Sequence, residues 1–163
     1  MPSAAPLDSS STPILAWHSM GAWPDVLDAL KVLRNEGKEL FVLANGTTRL
    51  QLDLVASADL KAAFDMLFSS QLLGSYKPSS EAYLKALELV GRKAEEAVMV
   101  ACRAYDLRAA KRVGMKTVYV RRWTDDVEED MEVVERENKG AFLNEGGFRG
   151  LPEVIRSFDS QGS

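Results

Sequence analysis

Phe41-Val42-Leu43-Ala44-Asn45-Gly46-Thr47-Thr48 is an apolar run that ends in a polar corner and leads into helix-like sequence. Leu40 to Ala44 contains no polar residue, the pattern of a strand covered on both faces in a parallel sheet. Asn-Gly then supplies a turn with a taste for positive φ, and Thr47 and Thr48 are helix-capping residues. The spacing of apolar residues predicts a helix from Arg49 to Ala58. A strand, a polar corner and a helix, in that order, make one repeat of an α/β sheet.

The rest of the chain repeats this alternation. Val26, Leu27, Leu30 and Leu33 recur at helical spacing between Pro24 and an Asn35-to-Gly37 stop. Met66-Leu67-Phe68 is a short strand. Ser79 and Ser80 begin a helix with Tyr83, Leu84, Leu87 and Val90 on its apolar face and Gly91 behind it. Ala97 to Ala101 is a second strand of the buried type. Leu107 to Val113 is a helix stopped by Gly114, and Thr117 to Val120 is a strand. Asp125 to Lys139 is acidic and periodic at Val127, Met131 and Val134, which predicts a solvated amphipathic helix. Phe142 to Phe148 reads as glycine-broken loop, and Leu151 to Phe158 as a terminal helix. Strands alternating with helices predict an α/β fold, a Rossmann-like parallel sheet flanked by helices.

Composition limits the functions available. The 163 residues suit one domain, placed at 14–160 behind a Ser/Ala/Pro-rich leader at 1–13 read as disordered. A content of 46% hydrophobic and 27% charged residues is that of a soluble globule. A net charge of -4 leaves no basic footprint for nucleic acid or an anionic membrane. No apolar run reaches the roughly 18 residues of a membrane span. The single cysteine, Cys102, cannot form an internal disulfide, which with the lack of an export signal makes the cytoplasm the expected compartment. One His and one Cys exclude a His-Cys metal cluster, and nothing supports a Ser-His-Asp triad through His18. His18 reads as structural or surface, and Trp17, Trp23 and Trp123 as core or interface residues.

Ligands of such sheets sit at the C-terminal ends of the strands. Three polar corners fall there. Asn45 and Gly46 can aim an amide and backbone N–H groups at an anion, or simply make the turn. Lys77, held extended by Pro78, can neutralise a carboxylate, or stand free in a loop. Asp106 can serve Lys77, or cap the free N–H groups at a helix start. Tyr83 can bind a substrate acid or pack.

Taken in order, these blocks resemble the haloacid dehalogenase superfamily, and within it the (S)-2-haloacid dehalogenase type. Phe41 to Gly46 is similar to the second family block, Tyr76-Lys77-Pro78 with Tyr83 to the third, and Cys102 to Asp106 with Leu107 to Gly114 to the fourth. The resemblance covers about Trp23 to Val127. In that family an aspartate displaces halide from the substrate's C2 carbon, and water hydrolyses the resulting ester. The resemblance implies that Lys77 orients the nucleophile and Asp106 positions Lys77 and assists the water. It implies that Asn45 and Gly46 help hold the halide and that Tyr83 meets the substrate acid. Arg103, standing where the family has a polar Asn, joins the substrate-binding set. Ala44 and Ala101 replace two expected serines. The paired acids that bind magnesium in phosphatase relatives are missing around Asp106, so no metal and no cofactor is expected.

The first family block, a strand ending in the nucleophilic Asp, and the helical cap after it have no match. Asp8, with Thr12 four residues on, has the spacing, but Ser3 to Leu7 is a poor strand interrupted by Pro6, and Ser11 replaces the expected Gly. In the family that strand lies mid-sheet. Its loss leaves three outcomes: Ile14 to Trp17 fills the place, the flanking strands re-pair, or another chain supplies a strand. The expected function is therefore a haloacid dehalogenase-like hydrolase, ancestrally dehalogenating a 2-haloacid, degenerate or truncated in this chain. The alternatives are a repurposed enzyme of secondary metabolism acting on an anionic acid, or a non-catalytic partner protein. The expected partners are a small-molecule acid and a homodimer mate or strand donor, with no nucleic acid and no membrane.

Overall fold

The computed structural model describes residues 16–160. Five strands and seven helices alternate along it: α1 (Val26–Asn35), β1 (Phe41–Ala44), α2 (Thr48–Ser57), β2 (Met66–Ser69), α3 (Ser70–Leu73), α4 (Ser80–Leu89), β3 (Val98–Ala101), α5 (Ala104–Arg112), β4 (Lys116–Val120), α6 (Met131–Glu137), β5 (Phe142–Leu143) and α7 (Leu151–Ser160). Every ladder is parallel, as the α/β reading requires. The leader at 1–13, Asp8 within it, and Ile14 lie outside the described residues.

The strands form two sheets instead of one. β1 pairs with β2, and β3 pairs with β4, which pairs with β5. Among the described residues neither β1 nor β3 has a second neighbour, and the two do not pair with each other. Both were read as fully covered strands, yet all four residues of each are only half-buried. Among the described residues each lacks a neighbour along one edge, which leaves that side uncovered. Of the three outcomes posed for the missing strand, one fails among the described residues: β1 and β3 have not re-paired. Of Ile14 to Trp17 only Ala16–Trp17 is described, and it forms a helical turn with Trp17 60% exposed.

Shared helices hold the two sheets in one frame. On one side, Leu43 of β1 and Met99 of β3 pack on the same cluster of Tyr83, Ala109 and Ala110 from α4 and α5. On the other, Leu40, Val98 and Val100 pack around Leu33, Leu151 and Ile155 from α1 and α7. Such burial of apolar area is the main favourable term available to a domain of this size.

Local chemistry explains where the elements end and where the sequence reading needs correcting. α2 starts at Thr48 because the Thr47 hydroxyl accepts from the Leu50 N–H at 3.2 Å. α1 ends where Gly37 takes a φ of 75°. Gly46 needs no positive φ; its lack of a side chain instead admits Leu50, whose Cδ2 lies 3.3 Å from where a Cβ would stand. On α4 the buried face is Ala82, Tyr83, Ala86 and Leu87, whereas Leu84 is half exposed. α5 starts at Ala104, three residues earlier than expected. The helix expected over Asp125 to Lys139 shrinks to Met131–Glu137, because Asp126 adopts a φ of 51° and Asp130 is the N-cap, accepting from Glu132 and Val133. Phe142 and Leu143, read as loop, form the edge strand β5. None of the three tryptophans is buried: Trp23 and Trp123 meet edge to face at 6.4 Å on the surface.

Candidate active site

Lys77 crosses from one sheet to the other at their C-terminal rim. Its backbone is fixed at the end of β1 by Asn45, whose Nδ2 donates to the Lys77 carbonyl at 2.8 Å while its Oδ1 accepts from the Lys77 N–H at 2.7 Å. The Lys77–Pro78 peptide is cis. The side chain then reaches Asp106, in the first turn of α5 after β3, with Nζ to Oδ2 at 2.6 Å. Only 12% of the lysine side chain and 5% of the aspartate side chain remain exposed, so solvent screens this pair little. Such a bond between charged groups is among the stronger hydrogen bonds a protein makes.

Tyr83 underlies the pair. It is buried on α4, and its hydroxyl donates to Asp106 Oδ1 at 3.0 Å, with the Asp106 carbonyl at 3.2 Å. Burial, reinforced by the charge of Asp106 and the bond to it, pushes the Tyr83 hydroxyl well above its ordinary range, so it stays a donor. Both carboxylate oxygens of Asp106 are thus engaged, one by an ammonium and one by a phenol. Of the three ammonium hydrogens of Lys77, Asp106 takes one.

The structure brings together Asn45, Lys77, Tyr83 and Asp106, four of the six residues singled out from the sequence. Their roles differ in part from expectation. Asp106 does not cap the helix: Arg103 is the N-cap residue, and the Ala104 N–H donates to Asp126 Oδ2 at 2.6 Å. Tyr83 lies under Asp106, 1% exposed, where it orients the carboxylate and does not line the rim. Asn45 is engaged as a clamp on the lysine backbone. Gly46 lends its carbonyl to the Ser70 hydroxyl at 3.2 Å. Arg103 does not join the group; it turns to Asp125 at 2.7 Å and Asp126 at 3.9 Å, because the turn after β4 sets those acids beside it. His18 binds Asp53 of α2 at 2.6 Å, a structural tie as read.

Sequence reasoning missed Asp126 and Ser69. Asp126 receives the first N–H of α5 and the Tyr119 hydroxyl at 3.3 Å, and so stands in for a cap. Ser69, fully buried, shares a 2.7 Å bond with Thr48 and caps α3 through Leu72. The Ser-Ser pair at 69–70 was the available signal. Burial, with Asp125 adding to it, pushes the Cys102 thiol up to about 11, away from the thiolate form that acts as a nucleophile. Among the described residues no group of three or more His, Cys, Asp or Glu is placed to hold a metal ion. Among them, too, no helix is long and apolar enough to cross a membrane.

Lys77 bound to Asp106 at the strand ends of an α/β sheet is the candidate site, and comparison with known proteins gives the family. The chain belongs to the haloacid dehalogenase-like hydrolase family, whose model matches residues 13–120. It is similar to a haloacetate dehalogenase H-2 of Moraxella sp. (strain B), at 31% identity over 62% of this chain and 45% of that protein. It is also similar to an (S)-2-haloacid dehalogenase of Pseudomonas sp. (strain YL), at 30% identity over 71% and 50%. A phosphoglycolate phosphatase of Aquifex aeolicus matches at 32% over 58% and 45%. Among solved structures, an L-2-haloacid dehalogenase superposes with a TM-score of 0.62 at 38% identity, covering 65% of this chain and 44% of that one. The chain spans about half the length of the curated relatives it matches.

Proposed function

We propose that this chain carries the lysine–carboxylate part of a hydrolase site for small organic acids, ancestrally 2-haloacids, and that it does not turn such acids over by itself. The observation that carries this reading is the Lys77–Asp106 bond of 2.6 Å, shielded from solvent and backed by Tyr83, at the C-terminal ends of β1 and β3. A lysine held this way keeps a neighbouring carboxylate ionised and ready to attack. The attack forms a C–O bond at C2 of the substrate, and halide leaves with the C–X electron pair. Water then adds to the ester carbonyl, the acyl C–O bond breaks, and a 2-hydroxy acid departs as the carboxylate is restored. Asp106 holds Lys77 in place for the first step and accepts a hydrogen bond from the water in the second.

Among the described residues Asp106 is the one acid paired with Lys77, and its oxygens are already engaged. It therefore serves as a positioning residue and not as the nucleophile. The reading is metal-independent, since the fourth block brings one acid and that acid is bound to a lysine. It assigns the chain to the cytoplasm on its single cysteine. Dehalogenation is favoured over phosphate hydrolysis by the same lone acid.

Halide release from 2-chloropropionate tests the reading. The chain alone releases no halide above its Lys77→Met variant, while calorimetry detects 2-chloropropionate binding that the variant weakens. Release that disappears in Asp8→Asn would show that the chain holds its own nucleophile. Binding indifferent to Lys77→Met would remove the site altogether.

A further inference from the structure

We propose that Ser70 and Gln71 are positioning residues for Lys77: by gripping the corner after β1 they fix the start of the loop whose far end carries the lysine. The inference rests on the reading of Lys77 given above for its substrate, and on the loop itself for its geometry.

The chain leaves β2 at Ser69 and returns to the end of β1 at Lys77. Both ends of this loop close on the same corner, Asn45 to Thr48. At the start, the Ser70 hydroxyl donates to the Gly46 carbonyl at 3.2 Å, and Gln71 Oε1 accepts the Thr48 N–H at 3.2 Å. The Ser69 hydroxyl locks the turn between them, since it shares a 2.7 Å bond with the Thr48 hydroxyl and accepts the Leu72 N–H at 2.9 Å. At the end, Asn45 engages both backbone groups of Lys77. Gly46 follows Asn45 directly, so the two ends of the loop hang on adjacent residues.

Between these pins the loop has little freedom. Leu73 is buried against Phe68 and Ala86, and Gly74 turns the chain with a φ of 67°. The Leu73 carbonyl accepts from Lys85 Nζ at 3.1 Å, and Lys85 stands on α4, the helix that carries Tyr83. The loop is thus tied both to the corner that holds the Lys77 backbone and to the helix that orients Asp106. Closely packed segments transmit a displacement instead of absorbing it. The Lys77–Asp106 bond has little tolerance for one, because hydrogen bonds weaken steeply as distance and angle depart from their optimum. Ser70 is 5% exposed, so water contests its bond little, and its loss frees the corner to turn. Gln71 lies on the surface and adds the smaller share. A purely structural role, such as capping α2 through the Thr48 N–H, would cost stability and leave the ammonium group where it is.

The test uses the full chain, labelled with nitrogen-15, and reads at fixed pH how fast the Lys77 ammonium protons exchange with water. Calorimetry with 2-chloropropionate runs beside it. In the double variant Ser70→Ala/Gln71→Met the ammonium protons exchange about tenfold faster, the scale of one lost hydrogen bond, and 2-chloropropionate binds more weakly by a similar factor. Each single variant shows the same change in smaller measure, so the test stands even where the double variant does not fold. Gln71→Glu keeps an acceptor for the Thr48 N–H and retains the parent's exchange rate. Ser57→Ala, which removes a 2.9 Å hydroxyl bond to the Met20 carbonyl at the far end of α2, loses stability and leaves Lys77 unchanged. Three results overturn the proposal: parent-like exchange in the folded variants, equal acceleration in Ser57→Ala, or Gln71→Glu behaving as Gln71→Met. A parent chain that does not bind 2-chloropropionate defeats the reading of the substrate, while faster ammonium exchange in Ser70→Ala still supports the positioning role.

Discussion

Asp106 is a charged side chain in a place that would expel it if it stood alone. Lys77 balances its charge and Tyr83 fills its second oxygen. In Lys77→Met that carboxylate becomes an unpaired buried charge, and denaturant unfolding at neutral pH shows a loss of ~3–5 kcal/mol. Tyr83→Phe keeps the packing and removes one donor; about 1–3 kcal/mol of stability goes with it, and Asp106 loses part of its fixed orientation. Lys77, Tyr83 and Asp106 were picked out because each lies in an ordered block, and their mutual contact, with Tyr83 backing Asp106, became visible only in the structure. The clamp role of Asn45 was not legible. Its partners are the backbone atoms of a residue 32 positions away, and a backbone atom leaves no mark in sequence. Arg103 was misread for a related reason: the acids that capture it come from a turn whose shape depends on the positive φ of Asp126.

At the level of elements, the loop after β4 is tied to the start of α1 by Arg122 and Asp25, a bidentate pair at 2.9 and 3.0 Å with side chains 6% and 7% exposed. Asp25 also accepts the Phe148 N–H at 3.1 Å, and Trp23 covers the guanidinium at 4.8 Å. Burial acting alone would raise the Asp25 carboxyl; the hydrogen bond from Arg122, the Phe148 N–H and the arginine charge outweigh it, and the group sits below its ordinary 3.8. A depressed carboxylate adds stability that is whole above the unfolded value and disappears as pH drops through the folded one. Thermal unfolding from pH 6 to pH 3 should therefore show a steeper acid loss in the parent than in the double variant Asp25→Leu/Arg122→Met. The single variant Asp25→Ala loses ~3–5 kcal/mol, while the double variant recovers most of it, because two apolar groups leave no unpaired charge. A tie spanning 97 residues is invisible to local reading. The strands β1 to β4 were legible from their apolar runs. β5 was not, because two residues, Phe142 and Leu143, are too few to show a period and glycines follow them.

For the whole molecule, the sheet is the unit that matters. Its α/β class, its helix cover and the break in its middle could all be read from the order of blocks, because strand patterning and block order survive in one sequence. The fate of the break could not, since pairing is a property of two edges and not of either run. Among the described residues β1 and β3 are two half-buried apolar edges without a second strand, and the site sits at their ends. The account rests on those edges being open. Residue-resolved amide exchange on the dilute chain reads this most directly. The account predicts that Val98 and Val100 exchange far faster than Val118 and Val120 of the adjacent strand β4. Equal protection of all four valines would mean that a strand already lies beside β3, and the central claim would be wrong.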